Sequence, residues 1–155
     1  MIRRAKDTDI DRLIELLGQV LEVHAAIRPD IFRSGTTKYS REELSEMIKD
    51  DNRPVFVYVD EKGTVVGYAF CQLKEPNFAS TMVPRKSLFV DDLCVDEESR
   101  GAGVAAKLFD YVKNEAKSLG CYDVTLCVWE GNRQAERFYE KQGMKVKERV
   151  MEYIL

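Results

Sequence analysis

The stretch from residue 87 to residue 129 constrains this chain most. It opens with the apolar run "SLFVDDLCV" (87–95), passes through "SRGAGVA" (99–105) and continues with Val104, Leu108, Tyr111, Val112, Ala116 and Leu119 at helical spacing. The helix stops at Gly120, and a second apolar run, "DVTLCVW" (123–129), follows. Two strand-like runs joined by one amphipathic helix predict a parallel βαβ unit. A glycine inside a helix costs about 1 kcal/mol against alanine, yet Gly101 and Gly103 both stand at the strand–helix junction with only Ala102 between them. A junction built this way lets something approach the backbone closely.

The rest of the chain supplies what a βαβ unit needs around it. In "DTDIDRLIELLGQVLEVH", Ile10, Leu13, Ile14, Leu17, Val20, Leu21 and His24 share one helical face behind Asp7 as a cap. "SREELSEMIKDD" opens with a capping box, Ser40 with Glu43, and predicts a short helix after a loop containing Pro and Gly. "PVFVYV" and "TVVGYAFCQL" read as strands turned by "DEKG". Downstream, "NRQAERFYEKQG" reads as a helix capped by Asn132 and stopped at Gly143, and "KVKERVMEYIL" alternates as a closing strand. The order β-α-α-β-β-β-α-β-α-β predicts one α/β (α+β) domain over residues 1–155. Its mixed central sheet has six to seven strands, a splayed parallel pair and about four flanking helices.

Charge and cysteine usage exclude several functions. The net charge of −3, with no basic stripe, argues against nucleic acid as a partner. Apolar runs reach only strand length, so no membrane span is expected. The opening "MIRRAKDTDID" is charged throughout and lacks the apolar segment of a signal peptide, which predicts a cytoplasmic protein. Cys71, Cys94, Cys121 and Cys127 form no CxxC pair, and His24 is the sole histidine, so core thiols are expected and no metal site.

Two carboxylates, Asp91 and Asp92, interrupt the first apolar run. Aspartate is depleted in strands, and adjacent strand residues point to opposite faces, so one of the two reaches a given cleft unless a bulge intervenes. They can serve as proton acceptor and cation partner for an amine, or stand as exposed charges paired with Arg85 or Lys86. A strand, a glycine loop and a helix together bind phosphate, because the first helical turn carries unpaired amides and partial positive charge. There is no GxxxxGK[ST] and no GxGxxG after the first strand, so neither a nucleoside-triphosphate loop nor a dinucleotide fingerprint is present. What stands there is R-x-x-G-x-A, on Arg100, Gly103 and Ala105.

That pattern, the "LCV" before it, and Asn132, Ala135 and "FYEKQG" downstream resemble motifs A and B of the Gcn5-related N-acetyltransferase (GNAT) family. The element order resembles that fold over nearly the whole chain. The resemblance implies acetyl-coenzyme A (acetyl-CoA) as donor. Its pyrophosphate would lie on the backbone of Arg100, Gly101, Ala102, Gly103, Val104 and Ala105. Its pantetheine arm would run along Leu93, Cys94 and Val95, with Asn132 and Tyr139 also facing the cofactor. Tyr139, two helical turns after Asn132, would be the acid that meets the departing thiolate. Asp92 or Asp91 would take the proton of the attacking amine. "DDLCV" before "SRGAG" is locally similar to the spermidine/spermine acetyltransferases. Other branches carry a catalytic glutamate where this chain has Phe89 or Cys127, which leaves the base to Asp91, Asp92 or water. His24, Asp30, Phe32 and Asp91 are expected on the acceptor side. The expected reaction is direct acetyl transfer to a primary amine of a polyamine, diamine, amino acid derivative or aminoglycoside-like molecule. A peptide or protein acceptor and a CoA-binding sensor without turnover stay open, and pairing of the C-terminal strands into a homodimer is expected.

Overall fold

The computed structural model describes all 155 residues. The alternating run after Pro54 folds as a hairpin of β2 (Val55–Val59) and β3 (Val65–Lys74). Its turn is pinned by Asp60, whose carboxylate accepts from the amides of Lys62 (2.9 Å) and Thr64 (2.8 Å). With β1 (Ile2–Arg4), β4 (Ser87–Val95) and β5 (Asp123–Leu126) they form a five-stranded sheet in the order β1-β2-β3-β4-β5. Only β4 and β5 are parallel.

Five strands stand where six to seven are expected. Residues 144–155 form no ladder, and Val150, Met151 and Tyr153 are 93%, 85% and 88% exposed. Their alternation is real, but within this chain no strand edge takes it up. β5 also stops at Leu126, three residues short of the apolar run.

The sheet's two faces follow the alternation of β3. Tyr68 and Phe70 pack with α1 (Ile10–Ile27) and α2 (Arg41–Ile48). Ala69 and Cys71 pack with Val112 and Ala116 of α3 (Val104–Ser118). The Ser40–Glu43 capping box forms as expected, with the Ser40 amide 2.7 Å from the Glu43 carboxylate. Asp7 does not cap α1. It begins a single 3-10 turn, Asp7–Asp9, and the helix starts at Ile10. The buried Asp9 carboxylate accepts from the Lys6 amide (2.8 Å) and from the Arg3 guanidinium (2.7 Å). Two of the four thiols fit the expectation of core cysteines. Cys71 and Cys94 are buried, but Cys121 is half-buried and Cys127, just past the end of β5, is exposed.

Candidate active site

The site begins at an irregularity in β4. Phe70 stands opposite Asp92 and Cys71 opposite Val90, so Asp91 has no partner on β3. This bulge sends the two neighbouring carboxylates into different surroundings. Asp92 is half-buried and accepts a hydrogen bond of 3.1 Å from the hydroxyl of Tyr68, whose side chain is sealed in the core. Asp91 is more exposed. It accepts from the Lys38 ammonium (2.7 Å) and the Tyr39 hydroxyl (3.0 Å), both carried by the loop before α2. Arg85 and Lys86 make no pair with either carboxylate, and Arg85 reaches Asp123 instead.

Burial pushes the Asp92 carboxyl up to about 6, with a further push from the charge of Asp91. The Lys38 charge, the Tyr68 hydroxyl and the Leu93 amide act in the opposite direction. Asp92 is thus a carboxyl whose ionisation falls near neutral pH, the range useful for proton transfer.

Beyond the bulge, β4 loses a neighbour. The parallel ladder with β5 ends at the pair Val90–Leu126, while β4 continues on β3 as far as Val95. From Asp91 to Val95 the outer edge of the strand faces no other strand. Leu93 is half-buried there, Cys94 and Val95 are buried, and the Cys94 thiol donates to the Leu16 carbonyl at 3.6 Å. An unpaired edge inside a sheet can take an amide-rich ligand as a further strand.

In the loop after β4 both glycines take left-handed backbone, Gly101 at φ +82° and Gly103 at φ +77°. Gly103 caps α3. The amides of Gly101, Ala102, Gly103, Val104, Ala105 and Ala106 find no acceptor in the chain. A Cβ on either glycine would point into open space, so both the amides and the room for an anion are present. Arg100 turns one nitrogen back on the Val95 carbonyl at 3.3 Å. The loop is braced by α1. The Gln19 side chain donates to buried Asp96 (2.9 Å) and accepts from the Glu97 amide (3.2 Å), and Arg12 pairs with Asp96 at 2.9 Å.

Asn132 caps α4 (Arg133–Lys141), its side-chain oxygen accepting from the Ala135 amide at 3.3 Å. Tyr139 lies two turns on, half-buried, its ring 5.7 Å from that of Phe109. Its hydroxyl has no hydrogen-bond partner in the chain. Burial first, then the charges of Asp92 and Cys71, raise its pKa, so the proton stays on the phenol at neutral pH. Where α1 meets the loop that follows it, His24 packs on Phe32 (5.1 Å), and Phe32 meets Trp129 edge-on (5.2 Å). Burial and the Lys38 charge hold His24 below its usual pKa, hence neutral. Asp30 is held by both nitrogens of an Arg28 fork (2.8 and 2.7 Å), and the same guanidinium binds Glu152 at 2.6 Å. Arg28 therefore ties the loop to the C-terminal segment.

The arrangement joins a phosphate-ready helix start, an unpaired strand edge, a half-buried carboxyl and a protonated phenol. The model of the acetyltransferase (GNAT) family matches residues 20–144. The chain belongs to this family. A glucosamine 6-phosphate N-acetyltransferase from Trypanosoma brucei brucei is 34% identical over 151 residues, covering 97% of this chain and 92% of that protein. A thialysine N-epsilon-acetyltransferase from Bos taurus is 25% identical over 153 residues, covering 92% and 82%. Among solved structures, a mutant of the BH1408 protein from Bacillus halodurans superposes with a TM-score of 0.95 at 31% identity, over 100% of this chain and 99% of that one. GNAT membership makes the chain an acetyl-CoA-dependent N-acetyltransferase.

Proposed function

We propose that the chain, as one catalytic domain over residues 1–155, moves the acetyl group of acetyl-CoA to a primary amine of a small molecule by direct attack in a ternary complex. The observation that carries this reading is Asp92: a half-buried carboxyl near pKa 6, beside the strand edge that β5 leaves open and close enough to Tyr139 to raise its pKa. In this reading the amides of 101–106 take the pyrophosphate, and Leu93, Cys94 and Val95 take the pantetheine arm, with Asn132 and Tyr139 against the cofactor. Asp92 accepts the proton that an alkylammonium must lose before its nitrogen attacks, since its own pKa is about 10.4. Tyr139, still protonated, donates to the departing thiolate. Asp91, already held by Lys38, helps shape the acceptor side with His24 and Phe32. The curated relatives, named for thialysine, glucosamine 6-phosphate and aminoglycoside acceptors, support amines as the acceptor class.

We place a second copy of the chain on the exposed, alternating residues 144–155, which find no ladder in their own chain. A panel of small amines, scored by thiol release from acetyl-CoA, tests the reading. Thiol release with several amines supports it. Tight CoA binding without release for any amine or peptide favours the sensor, and release with peptides alone moves the acceptor to proteins.

A further inference from the structure

The bulge at Asp91 opens a small cavity that the acetyl-transfer steps leave unused. It holds about 140 Å³ and is lined by Tyr39, Arg53, Phe70, Cys71, Gln72 and Asp91, among others. That is several times the space one water needs. Arg53, half-buried just before β2, makes no ion pair and no side-chain hydrogen bond within the chain. Glu42, Glu43, Glu46 and Asp50 line a broader groove that shares Arg53 with the cavity, and none pairs with it. Asp91, the carboxylate in the cavity wall, is already held by Lys38 and by the Tyr39 hydroxyl. The charged residues of the wall are Arg53 and Asp91, and Lys38, outside the lining, compensates Asp91, which leaves the Arg53 charge unpaired.

The cavity adjoins the reacting groups. Asp92 follows Asp91 in the strand, and Cys71, in the cavity wall, raises the pKa of the Tyr139 phenol along with Asp92. Inside the cavity a dicationic acceptor would have to displace Lys38 from Asp91 to reach a carboxylate. An amine that also carries a carboxylate or phosphate meets the opposite situation. Its anion finds an unpaired guanidinium, whose planar fork suits both groups, with the Gln72 amide beside it.

We propose that this cavity is an anion subsite, with Arg53 as its principal ligand, and that the enzyme selects amines bearing a carboxylate or phosphate. The substrate class rests on the proposed acetyl transfer to small amines, whereas the subsite itself does not. Two acceptor pairs that differ only by the anion test the selection: L-lysine against 1,5-diaminopentane, and glucosamine 6-phosphate against glucosamine. The anionic member of at least one pair should have a kcat/KM at least roughly tenfold higher. That ratio should shrink at least roughly fivefold in Arg53→Gln and recover in part in Arg53→Lys. Ratios at or below one in both pairs, or a ratio unmoved in Arg53→Gln, overturn the proposal.

Inorganic phosphate provides the arm without turnover. It should raise the Tm of the wild type more than that of Arg53→Gln, any binding at the 101–106 amides being common to both. Equal shifts overturn the subsite. A differential shift with no thiol release from any amine keeps the subsite and removes the acetyl-transfer reading. CoA-induced stabilisation of Arg53→Gln verifies that the variant is folded.

Discussion

The hydroxyl of Tyr68, fully enclosed between sheet and helices, donates a 3.1 Å hydrogen bond to the carboxylate of Asp92. A core residue on β3 thus orients the group that β4 presents to the open edge. Burial raises the Asp92 pKa to about 6 despite that bond, so kcat/KM for a good amine should fall below about pH 6 with unit slope. In Asp92→Asn the activity should drop at least roughly tenfold further than in Asp91→Asn, about 1.4 kcal/mol of transition-state stabilisation, and the acidic limb should vanish. A pH–rate profile of both variants checks this, and an unchanged limb in Asp92→Asn would move the base elsewhere.

The same raised pKa predicts a stability effect. A carboxyl titrating near 6 in the folded chain and near 3.9 unfolded binds more protons when folded, so its contribution falls as pH rises between those values. Asp92→Asn should therefore gain about 1–3 kcal/mol on the wild type at pH 7.5. The gain should fade toward pH 4. Urea melts at the two pH values give the comparison.

Tyr139→Phe removes a single hydroxyl from a ring that keeps its packing on Phe109 and Phe138. CoA affinity should hold, while kcat falls by roughly 10²-fold. Full kcat in this variant would leave Tyr139 a packing residue.

Gly103→Glu places bulk and charge where the 101–106 amides open, on a backbone at φ +77°. Acetyl-CoA should raise the Tm of the wild type by mass action and leave this variant unmoved. A normal shift would put the donor elsewhere on the fold.

The Arg3–Asp9 pair tests the scaffold. Burial alone would raise the Asp9 pKa, but the bonds from Arg3 and the Lys6 amide outweigh it and hold it below its ordinary value. A depressed carboxyl stabilises above its unfolded pKa, and that stability is lost as pH falls through its folded pKa. Arg3→Ala should cost about 2 kcal/mol at pH 7 by leaving a buried charge unpaired. Its deficit against the wild type should narrow below about pH 4, as the carboxyls protonate.

Local signals were readable from the residues themselves. The Ser40–Glu43 box, the Asn132 cap, the glycine junction at 101 and 103 and the βαβ unit all depend on neighbours within a few positions or on periodicity. Lys38 on Asp91 spans 53 residues and Tyr68 on Asp92 spans 24, so both depend on tertiary contacts that periodicity does not encode. Arg53 escaped for a related reason, since a lone arginine before a strand has the look of a surface charge until the cavity beside it is seen. Asp30 shows the converse. Its place in the loop between α1 and α2 is legible, but its engagement by Arg28, which also holds Glu152, is not. The closing run forms no ladder because alternation specifies a strand, not the edge that receives it.

Asp91 is the residue of β4 that the β3 ladder does not count. Without it, Val90 would still face Cys71 and Asp92 would still face Phe70. Insertion or loss of a residue at this point therefore leaves the register on either side intact. The strand can thus change length by one residue beside Asp92 while the core behind it keeps its pairing.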